Sequence, residues 1–193
     1  MANTSRIYGF RPTKHLNGSA FTGQVNLYSV PASDGTALYV GDPVKLAGDA
    51  STDGAYPTVT RAAAGDAVIG VIVGFDVNRT ALDVSGQARA ASTLRTVYVA
   101  DSPDLVYEVE TSNGTPATAD VGLNVNHAVG TPSATTATSG ATIDMGTKNT
   151  TATLTFKILG FVPRPDNEIG ASAKMLVKIN NHQLAASTGT AGV

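Results

Sequence analysis

The sequence predicts an all-β fold: a single antiparallel barrel or sandwich preceded by an extended N-terminal arm. Three observations point there. Threonine, alanine, glycine and valine dominate the chain, a mix that suits half-buried strands better than long helices. Turn dipeptides that favour positive φ recur at Asn17-Gly18, Asp34-Gly35, Asp53-Gly54 and Asn113-Gly114. Between and beyond them lie about ten short apolar runs at roughly ten-residue spacing, and no segment reads as a helix.

The first 22 residues carry no strand period. Arg6, Arg11 and Lys14 all precede the first carboxylate, Asp34, although the whole chain has a net charge of −2. Tyr8 and Phe10 interleave with these bases, Pro12 stiffens the segment, and Asn17-Gly18 turns it back. Residues 1–22 are therefore expected to form an arm on a partner surface, outside a β-domain spanning 23–184. Residues 185–193, small and polar, read as a flexible tail.

Within the domain, "GQVNLYSV" (23–30) alternates, and "ALYVGDPVKLAG" (37–48) is two apolar stretches broken at Gly41-Asp42-Pro43. "TVTRA" (58–62) is a short strand. "AVIGVIVGF" (67–75) is the most hydrophobic run, with the β-branching of a strand buried on both faces. Gly70 and Gly74 in it mark bends or close backbone approach. "LRTVYVA" (94–100) leads into "DLVYEVE" (104–110), whose period of two separates Leu105, Tyr107 and Val109 from Val106, Glu108 and Glu110. "VGLNVNHAV" (121–129) also alternates, and "ATLTFKILGFV" (152–162) and "AKMLVKINNH" (173–182) complete the set. Residues 131–142, small and Thr-rich, read as a surface loop or edge hairpin.

Chemistry-bearing patterns are sparse. The chain has no cysteine, so disulfides and thiolate metal sites are excluded. His15, His127 and His182 share no metal-type spacing and support no catalytic triad. No glycine-rich phosphate loop occurs. Glu108 and Glu110 lie side by side on one strand face, which reads as a solvated face and not as an opposed carboxylate pair. The expectation is no enzyme, no cofactor and no metal. The net charge and the few basic aromatic pairings also argue against nucleic-acid or membrane partners. No run of 18 or more apolar residues occurs, and "MANTSRIYGF" lacks the apolar stretch of a secretory signal, so synthesis in a cytoplasm is expected.

Charge is uneven along the chain. Between Arg95 and Lys148 lie Asp101, Asp104, Glu108, Glu110, Asp120 and Asp144 without a single base. From Lys148 on, five bases oppose two acids. This pattern reads either as solvated scatter or as ends that meet one surface while the middle faces another.

A set of phrases in order supplies a resemblance. They are "GFRPTKHLNGSAFTGQVNLYSVPASDGTALYVGDPVKLAG", "PTVTRAAAGDAVIGVIVGF", "RTVYVADSPDLVYEVE", "DVGLNVN" and "DNEIGASAKMLVKINNHQ". Together they resemble the head decoration, or capsid cement, proteins of tailed bacteriophages, from about residue 6 to residue 184. Segments 131–151 and 185–193 lie outside the resemblance. It implies a virion protein made in a bacterial cytoplasm, bound to the capsid exterior, whose partners are the major capsid protein and copies of itself. A homotrimer is the first expectation and a dimer the second. The expected capsid or subunit interface comprises Arg6, Tyr8, Phe10, Arg11, Lys14 and His15 of the arm, with Lys174, Lys178, Asn181 and His182 near the end of the domain. The alternatives are a tail or head-fibre component, or a carbohydrate-binding β-sandwich. The latter needs exposed aromatic platforms, and the chain has only six Tyr and five Phe.

Overall fold

In the computed structural model, which describes residues 3–77, 88–133, 135–185 and 189–192, every regular element but one short 3-10 turn (Thr118–Asp120) is a strand. Turn chemistry and alternation produce β1 (Arg11–His15), β2 (Asn26–Val30), β3 (Leu38–Tyr39), β4 (Pro43–Ala50), β5 (Pro57–Arg61), β6 (Gly70–Phe75) and β7 (Ala88–Arg89). They continue as β8 (Arg95–Ala100), β9 (Leu105–Ser112), β10 (Asn124–Ala128), β11 (Thr142–Asn149), β12 (Phe156–Phe161) and β13 (Lys174–Ile179). The all-β expectation holds.

Strands β2-β5-β4-β6-β8 close into a barrel. The rest form a sheet ordered β1-β9-β11-β10-β12-β13, which returns on itself because β13 also pairs with β9. Most pairs are antiparallel, but β2–β5 and β9–β11 are parallel. A separate β3–β7 pair is locked by Arg89, whose buried guanidinium donates to the carbonyls of Thr93, Thr36, Pro31 and Asp34.

The two units share β6 as a wall. Ile69 and Ile72 point into the barrel core with Val44, Val59 and Val97. Val68 and Val71 join the other core, with Tyr107, Phe156 and Val177. The "AVIGVIVGF" run is thus buried on both faces, as its pattern predicts. A Cβ on Gly70 would sit 2.4 Å from the Ala100 carbonyl oxygen, so only glycine lets β6 approach β8 this closely.

Three expectations are corrected. First, the N-terminal segment is built into the fold. β1 pairs with β9 from Arg11↔Glu108 to His15↔Leu105, with a register shift between Pro12 and Lys14 that hides the strand period. Phe10 is 2% exposed and stacks on Phe156 at 4.5 Å between ring centroids. Just before it, Gly9 (φ +76°) crosses Gly41, where a Cβ would lie 2.6 Å from the Gly41 carbonyl oxygen. The Phe10 N–H donates to that same carbonyl at 3.0 Å. Second, the expected set of strands lacks one: β11 (Thr142–Asn149), inserted between β9 and β10, follows directly on the 131–142 stretch read as loop or edge hairpin. Third, the tail is tied down at 189–192: the Thr190 N–H donates to Asn180 Oδ1 (2.9 Å), and its carbonyl accepts from Asn124 Nδ2 (2.7 Å). Residues 186–188 and 193 of the expected tail lie outside the described residues.

The charge segregation along the sequence has a physical resolution. The acidic middle pairs with the basic end inside one chain: Glu108 with Arg164 (2.9 Å), Glu110 with Lys174 (3.1 Å) and Asp120 with Lys148 (2.8 Å).

Candidate functional site

Paired residues on adjacent strands share a face, so register alone assembles a surface on β1, β9 and β13. Lys14 and Lys178 flank Val106, and Arg11 sits beside Glu108, which in turn pairs with Leu176. Lys174 pairs with Glu110 one step further along. Residues 106, 108 and 110 therefore carry a basic outer face whose only acids on β9 are Glu108 and Glu110.

Those two carboxylates are not the wet strand face expected of them; Glu108 is 6% and Glu110 3% exposed. The N-terminal segment covers them. Glu110 accepts from the Ser5 hydroxyl (2.6 Å), the Arg6 backbone N–H (2.8 Å) and Lys174 Nζ. Glu108 accepts from the Tyr8 hydroxyl (2.5 Å) and from Arg164. Burial, then the bond to Glu108, pushes the Tyr8 phenol well above its ordinary value, so it stays a donor. Asn3 pins the segment's start by donating to the Glu168 and Ala171 carbonyls. Charge-assisted bonds of this kind are short and strong, and both acids are consumed as internal counterions.

Above them opens a cavity of about 440 Å³ lined by Arg6, Tyr8, Arg11, Arg164 and Lys174. It adjoins a trough of about 510 Å³ that shares Tyr8 and Arg11 and adds Phe21, Val40, Ile72 and Val73. Arg164 and Lys174 are paired with carboxylates. Arg6 and Arg11 are exposed, and among the described residues their guanidiniums have no carboxylate partner. The arrangement can bind a carboxylate-bearing, partly apolar group, and its own acids are already engaged by donors of the same chain.

The structure brings together six of the ten expected interface residues: Arg6, Tyr8, Arg11, Lys14, Lys174 and Lys178. Lys174 is 7% exposed and faces Glu110, so it supports the surface from beneath and does not meet a partner directly. Phe10 is a core residue and no partner anchor. His15 ends β1, half-buried. Asn181 lies elsewhere, its carbonyl accepting from the Val68 N–H. His182 is 2% exposed, with Nε2 at 2.9 Å from the Asp101 carbonyl and Nδ1 accepting from the Leu184 N–H; it is a structural pin, not an interface residue. Sequence reasoning missed Arg164 and Phe21. The base-free run from Arg95 to Lys148, facing the basic run after it, was the available signal for the internal pairs.

Among the described residues no group of three or more His, Asp or Glu is placed to hold a metal ion, and no helix is long and apolar enough to cross a membrane. Comparison with protein-family models, curated proteins and solved structures finds no match to this chain.

Proposed function

We propose that this protein is a capsid decoration, or cement, protein of a tailed bacteriophage. It binds the outside of the assembled head and stabilises contacts between major capsid subunits. The observation that carries this reading is the basic outer face of β1, β9 and β13 on an acidic protein, held rigid by closed rings of strands. The resemblance of the ordered phrases to decoration proteins supports the choice of partner. Lys14 and Lys178 are the contact residues proposed for an acidic lattice surface, with His15 at the edge of the same strand. Complementary charge of this kind steers encounter and orientation, while many copies on a symmetric lattice add avidity.

The test is co-sedimentation of the purified protein with heads assembled from the major capsid protein encoded in the same phage genome. The protein should pellet with heads and delay their thermal disruption. Lys14→Glu with Lys178→Glu should weaken retention about tenfold, roughly 1.4 kcal/mol, and raised salt should reduce wild-type retention toward the variant's. Failure of the wild-type protein to pellet with heads would overturn the reading.

A further inference from the structure

The arginine cleft has a complement on the same molecule that does not line it. The β4–β5 hairpin ends in residues 47–55, "AGDASTDGA", nearly all exposed. Asp49 and Asp53 project there, and no base occurs between Lys45 and Arg61. Asp49 Oδ1 accepts from the Ala50 N–H (2.8 Å), and Asp53 Oδ1 from the Ser51 hydroxyl and the Ala55 N–H (3.1 Å). Among the described residues the second oxygen of each carboxylate has no hydrogen-bond partner. These oxygens are preformed acceptors on a tight turn, costing little further ordering.

Gly41 lies against Gly9 at the cleft end of the hairpin. Asp49 is eight residues further on; fully extended, that span is about 26 Å at about 3.3 Å per residue, shortened by the bulge between Leu46 and Ala50. None of residues 47–55 is among the described residues that line the cleft or the trough of the same chain.

We propose that the acidic β4–β5 tip of one copy docks into the arginine cleft of a second copy. Asp49 and Asp53 then accept from the Arg6 and Arg11 guanidiniums, which have no carboxylate partner among the described residues. Ala50 and Ala55, small and apolar, lie against the trough wall of Phe21, Val40 and Val73. The contact joins two different patches, so its repetition builds a closed cyclic assembly when the rotation between copies permits. The proposal concerns self-association in solution and does not depend on attachment to heads.

A charge-exchange experiment tests it. Sedimentation equilibrium of the wild-type protein should give a mass above one chain, falling toward one chain in high salt. Arg6→Glu with Arg11→Glu makes both tip and cleft acidic; Asp49→Lys with Asp53→Lys makes both basic. Each variant alone should be monomeric, and an equimolar mixture should associate again, because each tip then meets a cleft of opposite charge. Folding of each variant is checked by circular dichroism. If a reversal unfolds the chain, Arg6→Gln with Arg11→Gln and Asp49→Asn with Asp53→Asn replace it, and each neutral variant should be monomeric. A monomeric wild-type protein, variants that associate like wild type, or folded reversal variants that stay monomeric when mixed would each overturn the proposal.

Discussion

Replacing Phe10 with Ala tests whether the N-terminal segment belongs to the core. The ring is 2% exposed and stacks on Phe156 with an interplanar angle of 20°. It also meets Tyr107 and His127 edge-on, each at 6.4 Å between centroids. Truncating a buried Phe to Ala costs about 3–5 kcal/mol through lost transfer energy and the cavity left behind. Three aromatic neighbours place this site at the upper end of that range. The void would lie among the Phe156, Tyr107 and His127 rings. For a chain of this length each kcal/mol moves the midpoint by about 2–4 °C, so Tm should fall by roughly 10–20 °C. Urea unfolding followed by tyrosine fluorescence would show a lower midpoint at unchanged slope. A loss under about 1 kcal/mol would mean that Phe10 leaves the core in solution, and the account of the segment as part of the fold would be wrong.

Arg89→Ala should cost about 3–5 kcal/mol, because four carbonyls lose a buried donor, and Arg89→Lys should recover only part, since an ammonium cannot reproduce the planar fork; thermal melts that move by less than 2 °C would refute the clamp. Ile72→Ala, in the wall shared by both cores, should cost about 2–5 kcal/mol in chemical denaturation, whereas a cost near zero would place β6 at an exposed surface. Stability should fall on acidification through the histidines. Burial pulls His127 below its ordinary value, against the opposing Ala62 carbonyl and Asp66; burial does the same to His182, against Asp101. The unfolded chain therefore takes up protons below about pH 6.5 that the folded chain refuses, so stability is full above that value and declines as pH drops through it toward the folded values. Asp42 works in the opposite sense, since burial raises its carboxyl despite the Ser139 hydroxyl, but only from about pH 4 up to its folded value. Urea midpoints compared at about pH 7.5 and pH 5.5 should differ, and His127→Phe should reduce the difference; equal midpoints for wild type would refute the argument.

Much of the fold was legible in the sequence because period-two alternation and positive-φ turns act over a few residues. The "LVYEVE" run declared its inward face of Leu105, Tyr107 and Val109, and "AVIGVIVGF" declared burial on both sides. What alternation cannot declare is the partner on a strand's other face. Glu108 and Glu110 read as solvated because a strand's own sequence holds no trace of the distant segment that covers it; Ser5, Tyr8 and Arg164 come from 50 or more residues away. β11 escaped for a related reason: Thr, Gly and Asn weaken its local signal, and its place rests on pairing with β10 and β9.

The sequence by itself determined the all-β class, the turn positions, the double burial of β6 and the clustering of charge along the chain. Tertiary structure alone decided where that charge ended up. Three of the middle acids are neutralised internally by Arg164, Lys174 and Lys148, leaving Arg6 and Arg11 without carboxylate partners among the described residues. The cause is electrostatic: a carboxylate removed from water is tolerated only beside donors and an opposite charge. Folding therefore committed Arg164 and Lys174 to Glu108 and Glu110 and left Arg6 and Arg11 facing outward.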